Sequence, residues 1–247
     1  MKKENTGALL LIILAFISII AMLTVQPIKQ SEHYHAFSDE HTLGGIPNFL
    51  NVVSNLPFLL VGLLGLIQVR NFKVNKLQYC VFFFGISLVS FGSAYYHYCP
   101  SSETLLWDRL PMTLAFMALF SIIISEFINS KAGQVMLFPF LSVGIISIVI
   151  WLIGDDLRMY ALVQFYPMLA IPIVLLFCKS NGKSSNAYWV LLIAYIIAKF
   201  FEHFDLQVYD VLKIISGHSL KHIAAAIGVY LFLLLKRKEI LTKQFED

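Results

Sequence analysis

The sequence predicts an all-α, polytopic transmembrane helix bundle, with a seven-helix core and one N-terminal anchor helix. Three observations predict it. Of 247 residues, 58% are hydrophobic and only 13% charged, where an ordinary soluble domain carries roughly 25% charged residues. Apolar runs of roughly 20 residues, the length that spans about 30 Å of hydrocarbon, recur between short polar connections. The runs are continuously apolar rather than alternating, which suits helices that satisfy their own backbone hydrogen bonds in lipid and does not suit barrel strands.

The expected spans cover 8–26, 48–69, 77–98, 104–125, 133–153, 158–178, 187–204 and 216–235. The first follows Met1-Lys2-Lys3 and has the basic start and apolar middle of a secretion signal. No small-x-small site follows it in Thr24-Val25-Gln26-Pro27, so an uncleaved anchor is expected. The second opens on a polar cluster, Pro47 to Asn55. Asn48, Asn51 and Asn55 recur at i, i+3 and i+7 and would share a helix face, for interhelical hydrogen bonding or, alternatively, to orient a loop or a second ion. The third span ends in Gly92-Ser93-Ala94-Tyr95-Tyr96-His97, a tight turn over 98–103 reverses the chain, and the fourth carries Asp108 and Arg109 in its first turns. The last opens with Gly217-His218-Ser219-Leu220-Lys221-His222. The division expected is 1–30, a cytoplasmic tip and anchor helix; 31–47, an outer loop; 48–236, a seven-helix membrane domain; and 237–247, a cytoplasmic tail.

The positions of Lys and Arg set an expected orientation. With the amino terminus inside, Lys2, Lys3, Arg70, Lys73, Lys76, Lys131, Lys179, Lys183, Lys236, Arg237, Lys238 and Lys243 fall on the cytoplasmic side, twelve of the eighteen. Lys29, Arg109, Arg158, Lys199, Lys213 and Lys221 fall outside or at outer helix ends. Both termini are therefore expected in the cytoplasm, and the net charge of +3 reads as an orientation signal with no nucleic-acid role. Trp107 and Trp151 are expected near the outer interface and Trp189 near the inner one. Cys80 and Cys178 read as small core residues. Cys99 has no second outer cysteine to pair with, so no disulfide framework arises.

Ionisable groups within spans are costly and mark function. His218 and His222, at i and i+4, share a helix face and can aim both imidazoles at one point, a common way for one helix to give two ligands to zinc. The expected topology puts His97 on the same side as a third ligand, leaving one tetrahedral position open as catalytic sites do. Ser93 lies one turn before His97, and the tight turn puts Asp108 at a similar depth. Each piece has a plainer reading: an interfacial histidine, an Asp108 that pairs with Arg109 or caps its helix, a Ser93 that bonds its own helix carbonyl. Their conjunction on one side of the membrane favours a metal site. Charges gathered at one end argue against a transporter, whose charged residues and broken helices lie near the midplane. Glu32 to His41 is rich in His and acid, with oxygens at Asp39 and Glu40 that suit calcium or simply water.

Ser93, His97 four residues on, Asp108 eleven further, and the distant His218/His222 pair together resemble the alkaline ceramidase family. Residues 51–58, Asn-Val-Val-Ser-Asn-Leu-Pro-Phe, are similar to the family's first core helix, and the resemblance covers about 39–235. It belongs to a wider group of seven-helix membrane hydrolases that includes adiponectin/progestin-type receptors. The resemblance implies a zinc amidase that cleaves the N-acyl bond of ceramide or a similar N-acyl lipid by a metal-activated water. His97, His218 and His222 would hold Zn2+, with Ser93 and Asp108 beside the water. It also implies a calcium site ahead of the first core helix. This chain departs there, with no Trp before Trp107 and Asn48 where a family Glu is expected, so Asp39 is left as the candidate Ca2+ ligand. A receptor-like or lipid-remodelling relative with the same zinc triad but another ligand or acyl bond is the alternative it implies.

Overall fold

The computed structural model describes residues 3–178 and 184–246, so Lys2, Lys179 and Lys183 of the orientation count lie outside the described residues. The chain runs through α1 (Lys3–Thr24), a 3-10 turn (Glu32–His35), α2 (Phe49–Val53), α3 (Leu56–Val69), α4 (Lys76–Tyr98), α5 (Ser102–Phe127), α6 (Ser130–Gly154), α7 (Arg158–Phe177), α8 (Asn186–His203), α9 (Asp205–Leu212) and α10 (Gly217–Glu246). Among the described residues there is no strand beyond an isolated bridge between Leu43 and Ile46. Among the described residues seven helical segments, with α2 and α3 counted as one, are long and apolar enough to cross a membrane. The pair α8 and α9, bent by 76°, makes an eighth if it is one span. The protein is thus an all-α, multi-pass membrane protein, and the straight span expected over 187–204 is instead the first arm of a bent helix pair.

The second expected span, 48–69, is interrupted. Pro57 has no N–H to offer the Val53 carbonyl, and its ring crowds that carbonyl. The helix accordingly breaks at Ser54 and Asn55. At the break the Asn55 N–H bonds the Val52 carbonyl at 3.3 Å, and the Asn55 side-chain amide donates to the Asn51 carbonyl at 2.8 Å. Asn48 lies outside the helix with φ 48°, a left-handed conformation that asparagine tolerates. The helical face expected for Asn48, Asn51 and Asn55 is therefore not formed. Asn51 and Asn55 are fully buried, whereas Asn48 turns to donate to the His97 carbonyl at 2.8 Å.

Two compact units divide the chain. The first comprises 1–30, 72–82 and 113–185, and in it α1 lies along α7. The carboxyl end of α1 is tied down by Arg158, whose guanidinium donates to the carbonyls of Met22 (3.1 Å) and Val25 (2.7 Å) and to Asp156 (2.7 Å). The Leu157 N–H donates to the Ile28 carbonyl at 2.8 Å. That bond to Arg158 is the chief cause holding the Asp156 carboxyl below the usual carboxylate range. Its contribution is present above the ordinary range and is lost as pH falls through the lowered value. The rest of α1 is open, with 6% of its span buried, as suits a lipid-facing anchor. Polar groups inside the unit find partners, as they must in lipid: the Gln78 amide meets the hydroxyls of Ser121 and Ser125, and the Tyr79 hydroxyl donates to Glu126 at 2.7 Å. Trp151, expected at the interface, is 3% exposed and faces protein, whereas Trp107 is 52% exposed.

The second unit comprises 31–71, 83–112 and 186–247. It holds α8 to α10, α2 and α3, most of α4 and the first turns of α5. Helix α10 continues unbroken to Glu246, past residue 236 where the membrane domain was expected to end. The α4–α5 hairpin is close because Gly92 has no side chain: a Cβ there would collide with the Trp107 carbonyl. Small residues let membrane helices approach in this way. Gly92→Val is expected to separate the hairpin and destabilise the protein by about 1–3 kcal/mol. Thermal unfolding in detergent measures this, and an unchanged Tm would show that the close approach is dispensable.

Candidate metal centre

His97 ends α4, and His218 and His222 lie on one face in the first turns of α10. The three side chains are buried, at 1%, 8% and 6% exposure. Each offers one ring nitrogen, and these atoms all lie within 4.8 Å of one another. Ring centroids are 4.7 to 5.1 Å apart, and the Nε2 atoms of His97 and His218 are 3.3 Å apart. The imidazoles that the sequence placed on a common side thus converge on one point and could hold a metal ion. Among the described residues no other group of three or more His, Cys, Asp or Glu side chains converges in this way.

The elements around the cluster hold it by different means. Ser216 caps α10, accepting the Ser219 N–H at 3.3 Å. Asp205, just past the α8–α9 bend, accepts the His218 N–H at 2.6 Å and the Ser38 N–H at 3.2 Å. Gly217 permits this seating, since a Cβ on it would collide with the Phe201 carbonyl. The Phe37 ring packs on His97 and His218 with centroids 4.7 and 5.0 Å away, and Phe58 flanks His222 at 6.3 Å. Ser54 meets His222 Nδ1 at 2.9 Å. His97 Nδ1 is buried with no hydrogen-bond partner among the described residues, so packing against Phe37 and Tyr96 sets its ring.

Ser93, 2% exposed, stands one turn before His97 and on the same helix face. It interacts with the half-buried Asp108 carboxyl across the α4–α5 hairpin. Lys221, Arg109 and Glu202 also act electrostatically on Asp108. Lys221 pairs with Glu202 at 2.7 Å, and the Arg109 guanidinium lies 5.5 Å from the Tyr34 ring centre. The Ser93–Asp108 pair therefore stands on the same hairpin whose first helix ends in His97.

The other loop residues sit apart from this centre. Asp39 is 1% exposed. Its Oδ1 accepts from the His41 N–H at 3.1 Å and meets His41 Nδ1 at 2.8 Å, and its Oδ2 is buried without a hydrogen-bond partner among the described residues. His35 bridges Tyr96 at 3.0 Å and Ser102 at 3.2 Å. Burial lowers its pKa, which suits a neutral ring with one donor and one acceptor. His203 is exposed.

Three contributors were not legible in the sequence. Ser54 lay within the polar cluster before α3, but its pairing with α10 spans 168 residues. Phe37 is one of many aromatics, and Asp205 carries no motif. Asp205→Ala removes a carboxylate that receives two N–H groups, a loss of about 1.5–3 kcal/mol for one such bond. Asp210→Ala, which only touches the exposed Lys213, should change stability by less than about 0.5 kcal/mol. Equal melting temperatures for the two variants would contradict the role given to Asp205.

Among curated proteins, none matches the chain. A model of the ceramidase family matches residues 43–244. The match takes in Ser93, His97, Asp108, His218 and His222 together with every helix from α2 to α9, and it leaves α1 outside. With most of its length covered, the chain belongs to the ceramidase family.

Proposed function

We propose that this protein is a zinc-dependent membrane amidase that hydrolyses the N-acyl bond of ceramide or a similar N-acyl lipid. The observation that carries the reading is the buried convergence of His97, His218 and His222. Two nitrogens bonded at about 2.0–2.1 Å to one tetrahedral zinc stand roughly 3.3–3.4 Å apart, and the His97 and His218 Nε2 atoms are 3.3 Å apart. Three neutral imidazoles also match a catalytic donor set, which leaves one position for water or substrate. When bound, zinc supplies Lewis acidity, making water acidic enough to ionise near neutral pH and polarising a carbonyl.

The chain's own groups handle the protons. The Asp108 carboxylate takes a proton from the attacking water and returns it to the nitrogen as the C–N bond breaks and the C–O bond forms. Ser93, which interacts with Asp108 across the hairpin, keeps that carboxylate oriented. Once Asp108 is protonated, its own O–H can turn to Ser93, and the serine proton becomes available to the developing oxyanion. Phe37 and Phe58 line the histidines with apolar rings, which keeps bulk water from the centre. The Lys and Arg distribution further supports a placement of both termini in the cytoplasm and the histidine cluster near the outer face.

Purified protein is expected to carry zinc, and His218→Ala to lose it; equal zinc in both would overturn the assignment. Fluorescent N-acyl lipids should release fatty acid with the wild-type protein, and Asp108→Asn should slow release by about 10²–10⁴-fold. Undiminished release would remove Asp108 as the proton carrier. A reporter fused to the carboxyl terminus should be active only on the cytoplasmic side, and activity on the other side would invert the proposed orientation.

A further inference from the structure

The serine at the helix break reaches one of the three histidines, and its proton is already committed. Ser54 Oγ lies 3.1 Å from the Asn51 carbonyl and 2.9 Å from His222 Nδ1. Both serine and asparagine are buried, at 7% and 0% exposure. A hydroxyl has one proton to give and lone pairs to receive with. The carbonyl can only accept. If the serine proton went to the histidine instead, two oxygens would face each other at 3.1 Å with no hydrogen between them, in a site where burial makes such a clash expensive.

The helix break explains why that carbonyl needs a donor. In an unbroken helix the Asn51 carbonyl would accept the Asn55 N–H. Here that N–H bonds Val52 instead, one turn ahead of Pro57. The Asn51 carbonyl is left to side chains, and it receives the Asn55 amide at 2.8 Å as well as Ser54. Two lone pairs accommodate both donors. The Asn51 side chain is fixed in turn, donating to the Asp39 carbonyl at 3.1 Å and accepting from the Ser219 hydroxyl at 2.6 Å. Ser219 is the residue after His218, so Asn51 clamps the same turn of α10 that presents the histidines.

We propose that Ser54 is a positioning residue that holds His222 in the tautomer protonated on Nδ1, so that a bare Nε2 lone pair faces the point shared with His97 and His218. This rests on the metal-centre reading for its consequence, though not for its geometry. A ligating imidazole takes its orientation and basicity from the partner of its other nitrogen, and such partners are worth about 10–100-fold in metal affinity. A proline at position 57 therefore acts on His222 through three links: the break, the open carbonyl and the serine proton.

The test reads the tautomer directly, by ¹⁵N NMR of histidine-labelled, metal-free protein in detergent, with the signal assigned by its loss in His222→Gln. The expected result is a proton on Nδ1 of His222 in the wild type and a mixture of tautomers in Ser54→Ala. Zinc affinity, measured by competition with a chromogenic chelator, should fall about 10–100-fold in Ser54→Ala and recover in Ser54→Thr, which keeps the hydroxyl. A proton on Nε2 in the wild type would overturn the proposal, and so would a Ser54→Ala variant with unchanged tautomer and affinity. Should Ser54→Ala fail to fold, the wild-type tautomer decides alone. Because that signal needs no metal, a wild type that binds no zinc would overturn the metal reading separately.

Discussion

Two imidazole nitrogens 3.3 Å apart inside a protein repel each other unless a cation or a shared proton lies between them. That single contact joins the last turn of α4 to the first turn of α10, and most of the surrounding second unit serves to keep the two helix ends in place. Gly92 lets α4 lie against α5, Gly217 lets α10 lie against the α8–α9 bend, and Asp205 fastens the start of α10 through its backbone. None of these three touches the point where the nitrogens meet. They set the distance between the helix ends, and that distance determines whether the donors converge or fall short.

The three histidines are held in three different ways. His218 is placed by its main chain, through Asp205. His222 is placed by its ring, through Ser54. His97 is placed by apolar packing and by Asn48, which takes up its carbonyl at the end of α4, where helix carbonyls have no partner of their own. Loop 31–47 contributes to the cluster: Phe37 covers the rings of His97 and His218, Asp39 anchors Asn51 through its carbonyl, and Ser38 shares Asp205 with His218. A short connection is therefore part of the surroundings of the centre, although its sequence reads as a solvated loop.

The same economy of polar partners runs through the membrane-spanning segments elsewhere. Gln78, Ser121 and Ser125 satisfy one another, and so do Tyr79 and Glu126. Lipid offers no hydrogen bonds, so a polar group in a span needs a partner. In the centre, Ser54, Asn51 and Asp205 find partners in this way, while the nitrogens of the histidine cluster are left aimed at one another. Among the described residues, buried polar atoms without a hydrogen-bond partner include His97 Nδ1 in the cluster and Asp39 Oδ2 and Asn55 Oδ1 in the elements beside it.

The sequence by itself determined the class and the identities of the ligating candidates. Hydropathy depends on local composition alone, and the i, i+4 spacing of His218 and His222 is fixed by helix geometry whatever the surroundings. The hairpin turn likewise tied Ser93 and His97 to Asp108, because a short connection leaves two antiparallel helices little freedom. Tertiary structure alone decided the rest. The break between α2 and α3 falls within the single span expected over 48–69, because hydropathy does not register one missing N–H at Pro57. The pairing of Ser54 with His222 joins residues 168 apart in sequence, and no periodicity reports on such a contact or on the 76° bend at Phe204. Which nitrogen of a histidine is free, and what holds it so, depends on a partner brought from the other end of the chain.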